Sequence, residues 1–151
     1  MGKLEGSASA EIEAPIETVY AIAADVERSS RWQPEIKVAE CVERDDEGDS
    51  ALFHMETNAG VKDLQSEMHF SFEAPNRIAW TQEDGTLKAI DGSWELEDLG
   101  DGRTRATYWM EVDLGRKLSL VLRGPLLGAL RGHLVESMPD KLKGFVEGES
   151  G

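Results

Sequence analysis

Two periodicities of apolar and polar positions alternate along the chain. The first segment, SASAEIEA, alternates small or apolar residues with polar ones up to Pro15 and predicts a strand near residues 6–14. PIETVYAIAADVER then places Val19, Ile22, Ala23 and Val26 on one helical stripe, with Pro15 suited to the first turn. After Glu27 the stripe dissolves into RSSRWQPE, which predicts a short turn or a second small helix.

From residue 36 the period is two. IKVAECVERDD, SALFHMET, KDLQSEMHFSFE, NRIAWTQE, LKAIDGSWELED and RTRATYWMEVDL follow one another, separated by DDEGD, NAG, APN, DG and LGDG. Those breaks are turn chemistry, and connections so short join antiparallel neighbours only. With the first segment they make seven strands. Counting outward from the turns sets Phe53 opposite Met68, Met55 opposite Ser66, Phe70 opposite Trp80, Phe72 opposite Ile78, Trp94 opposite Tyr108 and Leu96 opposite Ala106. Large apolar side chains thus share one face. Glu67, His69, Arg77, Glu95, Arg105 and Glu111 share the other. The DG hairpin does not fit: a two-residue turn pairs Gln82 with Leu87 and turns Trp94 outward. A one-residue bulge near Gly92 is expected to restore the register. The segment 36–45 shows no consistent assignment of faces.

Beyond Gly115 the helical period returns. RKLSLVLRG is a short piece ending at Gly124-Pro125. PLLGALRGHLVESMPDKLKGFVE then aligns Leu127, Leu130, Leu134, Met138, Leu142 and Phe145 on one stripe. This predicts a helix of about 22 residues, roughly 33 Å long. Pro139 inside it removes one intrahelical hydrogen bond and should bend or interrupt it. The glycines at 124, 128 and 132 mark the segment 116–128 as a weak stretch, either a gate or a place of close packing.

The 151 residues form one domain, 1–151, by size. The 30 Asp and Glu against 16 Lys and Arg give a formal charge of −14. That field opposes nucleic-acid phosphates and anionic lipid headgroups. No secretory signal and no apolar run long enough for a membrane helix are visible, and Cys41 is a lone cysteine. The expectation is a cytoplasmic protein without nucleic-acid or integral membrane partners. The sequence leaves its oligomeric state open.

The order of strand, two short helices, six-strand meander and long C-terminal helix is that of the helix-grip fold, an α+β architecture. IEAPIETVYAIAADVERSSRWQPEIKVAECVERDDEG resembles the opening of the polyketide cyclase/dehydrase-like branch of the START and plant-allergen-like superfamily. The matching features are Ala14-Pro15, Asp25, Trp32-x-Pro34 and Glu43-Arg44-Asp45, and GSWELEDLGDGRTRATYWMEVDL resembles that branch's last hairpin. The resemblance spans about residues 7–147. It implies a curved sheet of seven strands wrapped around the long helix, with a cavity between them and the two short helices closing one end. The branch includes aromatase/cyclases and lipid and quinone binders, so a hydrophobic or aromatic small molecule is the implied partner.

That placement explains Trp32, a large apolar side chain set in a polar run: it either plugs the closure or lines the cavity. The candidate binding residues on the sheet are Phe53, Met55, Ser66, Met68, Phe70, Trp80, Gln82, Trp94, Tyr108 and Met110. The helix adds Leu127, Leu130, Leu134 and Met138. Such a face is a filled core unless a void lies against it. Thr57, Ser66, Gln82 and Tyr108 need partners there, from each other, backbone, water or ligand. His54, His69 and His133 do not converge, so neither a metal site nor a cofactor is expected. No Ser or Cys stands beside a His base. Binding is therefore the leading reading. A cyclase or dehydrase acting by orientation, with Tyr108 and Gln82 assisting proton transfer, is the second. An interaction module using outward Trp109 is the third.

Overall fold

The computed structural model describes residues 3–58, 63–116, 128, 129 and 131–150. Its frame is a curved, open, antiparallel sheet of seven strands. These are β1 (Lys3–Ile12), β2 (Ile36–Arg44), β3 (Ser50–Asn58), β4 (Asp63–Glu73), β5 (Arg77–Gly85), β6 (Ala89–Gly100) and β7 (Arg103–Asp113). Strands β2 to β7 form a meander, and β1 joins its end beside β7. The predicted pairs Phe53–Met68, Met55–Ser66, Phe70–Trp80, Phe72–Ile78, Trp94–Tyr108 and Leu96–Ala106 are all present.

The expected bulge at Gly92 is not. Strands β5 and β6 pair Trp80 with Gly92 and Ile78 with Trp94 without a break. The register is carried by a longer connection that includes Thr86–Lys88, and the extra residue sits at Glu83, where β5 bulges against β4. Gly92 has a different duty: a Cβ there would overlap the Trp80 indole. The unassigned faces of β2 also find their reason. Lys37 and Val42 are each extra residues in its pairing with β3. Every inserted residue moves the following side chains to the opposite face. Val42 is left exposed.

Strand β1 begins at Lys3, earlier than the alternation predicts, and it ends at Ile12, also earlier, because Ala14 turns back to donate its N–H to the Ile12 carbonyl at 2.9 Å. The helix Ile16–Ala23 follows, with extended Pro15 just ahead of it. It stops short of residue 28: Asp25 leaves the helical region, and a separate 3-10 turn spans Val26–Arg31. The Thr104 hydroxyl, fully buried, donates to the Ala14 carbonyl at 2.8 Å and ties this corner to β7.

Toward the end of the chain a π-helical turn, Gly132–Glu136, precedes the C-terminal helix Met138–Ser150. The Ser137 N–H bonds the Gly132 carbonyl, five residues back, at 3.1 Å. Pro139 supplies no N–H to the carbonyl of Val135, so the predicted interruption falls in the turn before it. The C-terminal helix lies over β1 and β7 and buries Met138, Leu142 and Val146. They join Leu4, Ile12, Val19, Ile78 and Val112 in the core. Each such buried side chain contributes roughly 1.5–3 kcal/mol of hydrophobic stabilisation. The short piece expected over 116–124 lies outside the described residues but for its first, Arg116, and so does most of the weak stretch 116–128.

Candidate functional site

The core does not fill the whole interior. Between the inner face of β3–β7, the 3-10 turn and the start of the C-terminal helix lies a cavity of about 110 Å³. Ten of the sequence-derived candidates form its wall: Trp32, Met55, Ser66, Met68, Phe70, Trp80, Trp94, Tyr108, Met110 and Met138. The strand alternation brings them together, since all but Trp32 and Met138 sit where side chains point inward on the described pairs. Phe53 is not in the wall. It is 1% exposed and packs edge-on against Phe70, with ring centroids 5.3 Å apart. Leu127 and Leu130 lie outside the described residues, as does the side chain of Leu134.

An aromatic chain runs through the wall. Trp32 and Trp94 have centroids 6.1 Å apart, Trp94 and Tyr108 4.7 Å, Tyr108 and Trp80 5.5 Å, and Trp80 and Phe70 5.5 Å. Trp32 is both things the sequence left open. It is 5% exposed and packs on Trp94, and it borders the void.

The polar groups divide into satisfied and unsatisfied. Gln82 stands behind the wall: its Nε2 donates to the Leu87 carbonyl at 2.8 Å, and its Oε1 accepts from the Ser66 hydroxyl at 3.0 Å. It braces the β5–β6 connection, and Gly85 leaves it room to do so. The Ser29 hydroxyl donates to the Val26 carbonyl at 2.7 Å. Among the described residues the Tyr108 hydroxyl meets only the Met110 sulfur, at 3.3 Å, a weak acceptor. Burial pushes the Tyr108 hydroxyl's pKa well up, and the negative charge of Glu35 adds to the effect, so the phenol stays protonated. The Trp32 Nε1 is buried and has no hydrogen-bond partner among the described residues.

Glu35 is not among the sequence-derived candidates. Its side chain is 5% exposed, borders the cavity and pairs with Lys141 of the C-terminal helix at 3.0 Å. Its carbonyl also accepts the Asn58 N–H at 2.7 Å. Ala23, Val26, Gln33, Ile36, Leu64, Leu87 and Ile90 extend the lining beyond the sequence-derived set. Leu64 and Ile90 follow the alternation of β4 and β6, in step with Ser66 and Trp94, whereas for Leu87, in the connection before β6, only the fold shows which way it faces.

On the outer sheet face His54 lies opposite Glu67, as the pairing predicts. Its Nδ1 is 2.8 Å from Glu67 and its Nε2 is 3.1 Å from Glu56. Both carboxylates hold its pKa up. Outward Trp109 donates from Nε1 to Glu5 at 3.1 Å and is half-buried. Among the described residues no His, Cys, Asp or Glu cluster is placed to hold a metal ion, and no helix is long and apolar enough to cross a membrane.

The family model described as polyketide cyclase / dehydrase and lipid transport matches residues 12–139. No curated protein matches the chain by sequence. Among solved structures, a START superfamily protein from Mycobacterium smegmatis is 22% identical, with a TM-score of 0.83 over 96% of this chain and 98% of that one. A Thermus thermophilus protein is 24% identical, with a TM-score of 0.84 over 98% of this chain and 100% of that one. The Zhui aromatase/cyclase of a Streptomyces species is 15% identical, with a TM-score of 0.69 over 97% of this chain and 83% of that one. At these identities the likeness is one of fold.

Proposed function

The chain belongs to the polyketide cyclase / dehydrase and lipid transport family, and from that premise we propose that it holds a hydrophobic or aromatic small molecule in the cavity between sheet and C-terminal helix. The observation that carries this reading is the void itself. A sheet face this rich in Trp, Phe and Met would normally close into a core, yet here it borders an open space with a few polar groups among the apolar ones. That is the composition of small-molecule sites, and the four methionines in the wall suit an adaptable fit. Native mass spectrometry of the purified protein is expected to show a bound apolar molecule. Titration with the neutral dye Nile red is expected to change the intrinsic Trp fluorescence, since three of the four Trp residues line the cavity. A dye that leaves the fluorescence unchanged, with no co-purified molecule, would remove this reading.

A second reading, a cyclase or dehydrase, gains one specific observation. A protonated Tyr108 and the Glu35 carboxylate border the same void. Together they offer a hydrogen-bond donor and a base to a flexible poly-carbonyl chain held bent. Tyr108→Phe and Glu35→Gln are then expected to slow cyclisation of a poly-β-keto thioester about a hundredfold or more without loss of binding. Equal product formation with and without the wild-type protein would exclude it. Trp109, on which the interaction-module reading rests, is half-buried and donates to Glu5, and no specific observation favours that reading.

A further inference from the structure

We propose that a molecule reaches the cavity through a surface cleft beside the start of the C-terminal helix, and that the Glu35–Lys141 ion pair is the latch between the two spaces. The proposal rests on the binding reading above and adds to it the route in and the part that moves.

Pro34, Lys37, Asn58 and Ser137 line the cleft together with Glu35 and Lys141. Its partition from the cavity is one residue thick in three segments. Gln33 and Ile36 border the cavity, whereas Pro34 and Lys37 border the cleft. Thr57 borders the cavity and its neighbour Asn58 the cleft. Met138 borders the cavity and its neighbour Ser137 the cleft. Among the described residues Glu35 alone borders both spaces. Most of the described wall of the cavity is buried, so a molecule enters where part of that wall gives way.

Energetics select the place. Over most of the wall apolar side chains pack on one another, and parting them exposes apolar surface to water. At the partition the side-chain link is an ion pair, Lys141 Nζ to Glu35 Oε1 at 3.0 Å. Lys141 keeps 24% of its side chain in solvent. Parting the pair toward the cleft therefore hands both charges to water and strands neither, which is the inexpensive way to break an ion pair. The two halves are held differently. The Glu35 carbonyl accepts the Asn58 N–H at 2.7 Å, which fastens its backbone to β3. Lys141 belongs to the C-terminal helix, whose first turn follows the π-helical turn Gly132–Glu136. There the Ser137 N–H reaches back five residues and the regular ladder is interrupted. Glu35 is thus the fixed half and Lys141 the moving half.

Stopped-flow mixing of the full chain with Nile red reads entry and release from the dye's own emission, and equilibrium titration reads its affinity. Glu35→Gln combined with Lys141→Met removes both charges and leaves none stranded. This double variant is expected to raise the entry and release rates alike by about tenfold, equal to roughly 1.4 kcal/mol off the opening step, with the dissociation constant changed by less than about threefold. A latch alters the barrier and not the bound state. Lys143→Met frees the same helix from the Glu11 carbonyl and from Glu147 without touching the partition, and it should leave both rates as they are. Ser137→Trp narrows the cleft and keeps the ion pair, and it should slow both rates about tenfold; if the double variant does not fold, this variant decides alone. Wild-type rates in the folded double variant, or unhindered entry in Ser137→Trp, would overturn the proposal. Equal acceleration by Lys143→Met would overturn it as well, since general loosening of the helix would then account for the effect. These outcomes leave the binding reading intact. Absence of any dye binding to the wild type would instead overturn that reading, and this proposal with it.

Discussion

Trp80 lies across Gly92 of the neighbouring strand, and that single missing side chain gives the cavity part of its shape. An added methyl would overlap the indole. Gly92→Ala is therefore expected to cost about 1–3 kcal/mol, the range for overpacking, and to shift the Trp emission spectrum as Trp80 is displaced; urea denaturation checks the first and fluorescence the second. On the opposite face His54 sits between Glu56 and Glu67, which raise its pKa above the ordinary value of 6.5. A raised histidine stabilises the folded state fully below its unfolded pKa and loses that contribution as pH rises through the folded value. The melting-temperature difference between the wild type and His54→Gln should thus be largest at about pH 5.5–6.5 and shrink toward about pH 8.5. The pairing of His54 with Glu67 is legible from strand alternation and turn length alone. The burial of Glu35 is not: its partner Lys141 stands 106 positions away, and a charged residue next to a proline reads as surface until the fold brings the two together.

At the scale of elements, the Glu35–Lys141 pair joins the entry to β2 with the C-terminal helix. Glu35 is nearly inaccessible, whereas Lys141 keeps 24% of its side chain in solvent. Removing the lysine strands a buried carboxylate, which costs more than losing an exposed partner does. Lys141→Met is expected to destabilise by about 2–4 kcal/mol, and adding Glu35→Gln should recover much of that loss in chemical denaturation. Element identity is clear in the sequence wherever the period is uniform, as in β3 to β7. It is lost where single residues intervene. The two extra residues of β2 flip its faces, Asp25 cuts the first helix short, and the β5–β6 register depends on a connection whose length the DG turn does not reveal.

For the whole molecule, the formal charge of −14 sets like charges against one another over a small surface. Such self-repulsion weakens the compact state and is screened by salt. Raising sodium chloride from about 10 mM to about 200 mM should therefore raise the melting temperature by a few degrees, read by differential scanning fluorimetry. A flat or falling curve would show that surface ion pairs dominate instead, among them Lys37–Asp63 at 2.8 Å and Arg105–Glu97 at 2.8 Å. The fold is largely contained in periodicity and turn chemistry, because both are local. The cavity is not, because a void is a property of what fails to meet across the interior. The same inner-face residues describe a filled core equally well.

Strand β1 pairs along its whole length with β7. During synthesis that partner emerges about a hundred residues later, which at roughly 5–20 residues per second is a wait of about 5–20 s. The segment GSASAEIE is built mainly of small residues and glutamates, so it offers little that is sticky while it waits on the ribosome. The sheet therefore gains its last strand from a segment made about a hundred residues before its partner, and the short helices that follow β1 cannot settle over the cavity until β7 has been translated.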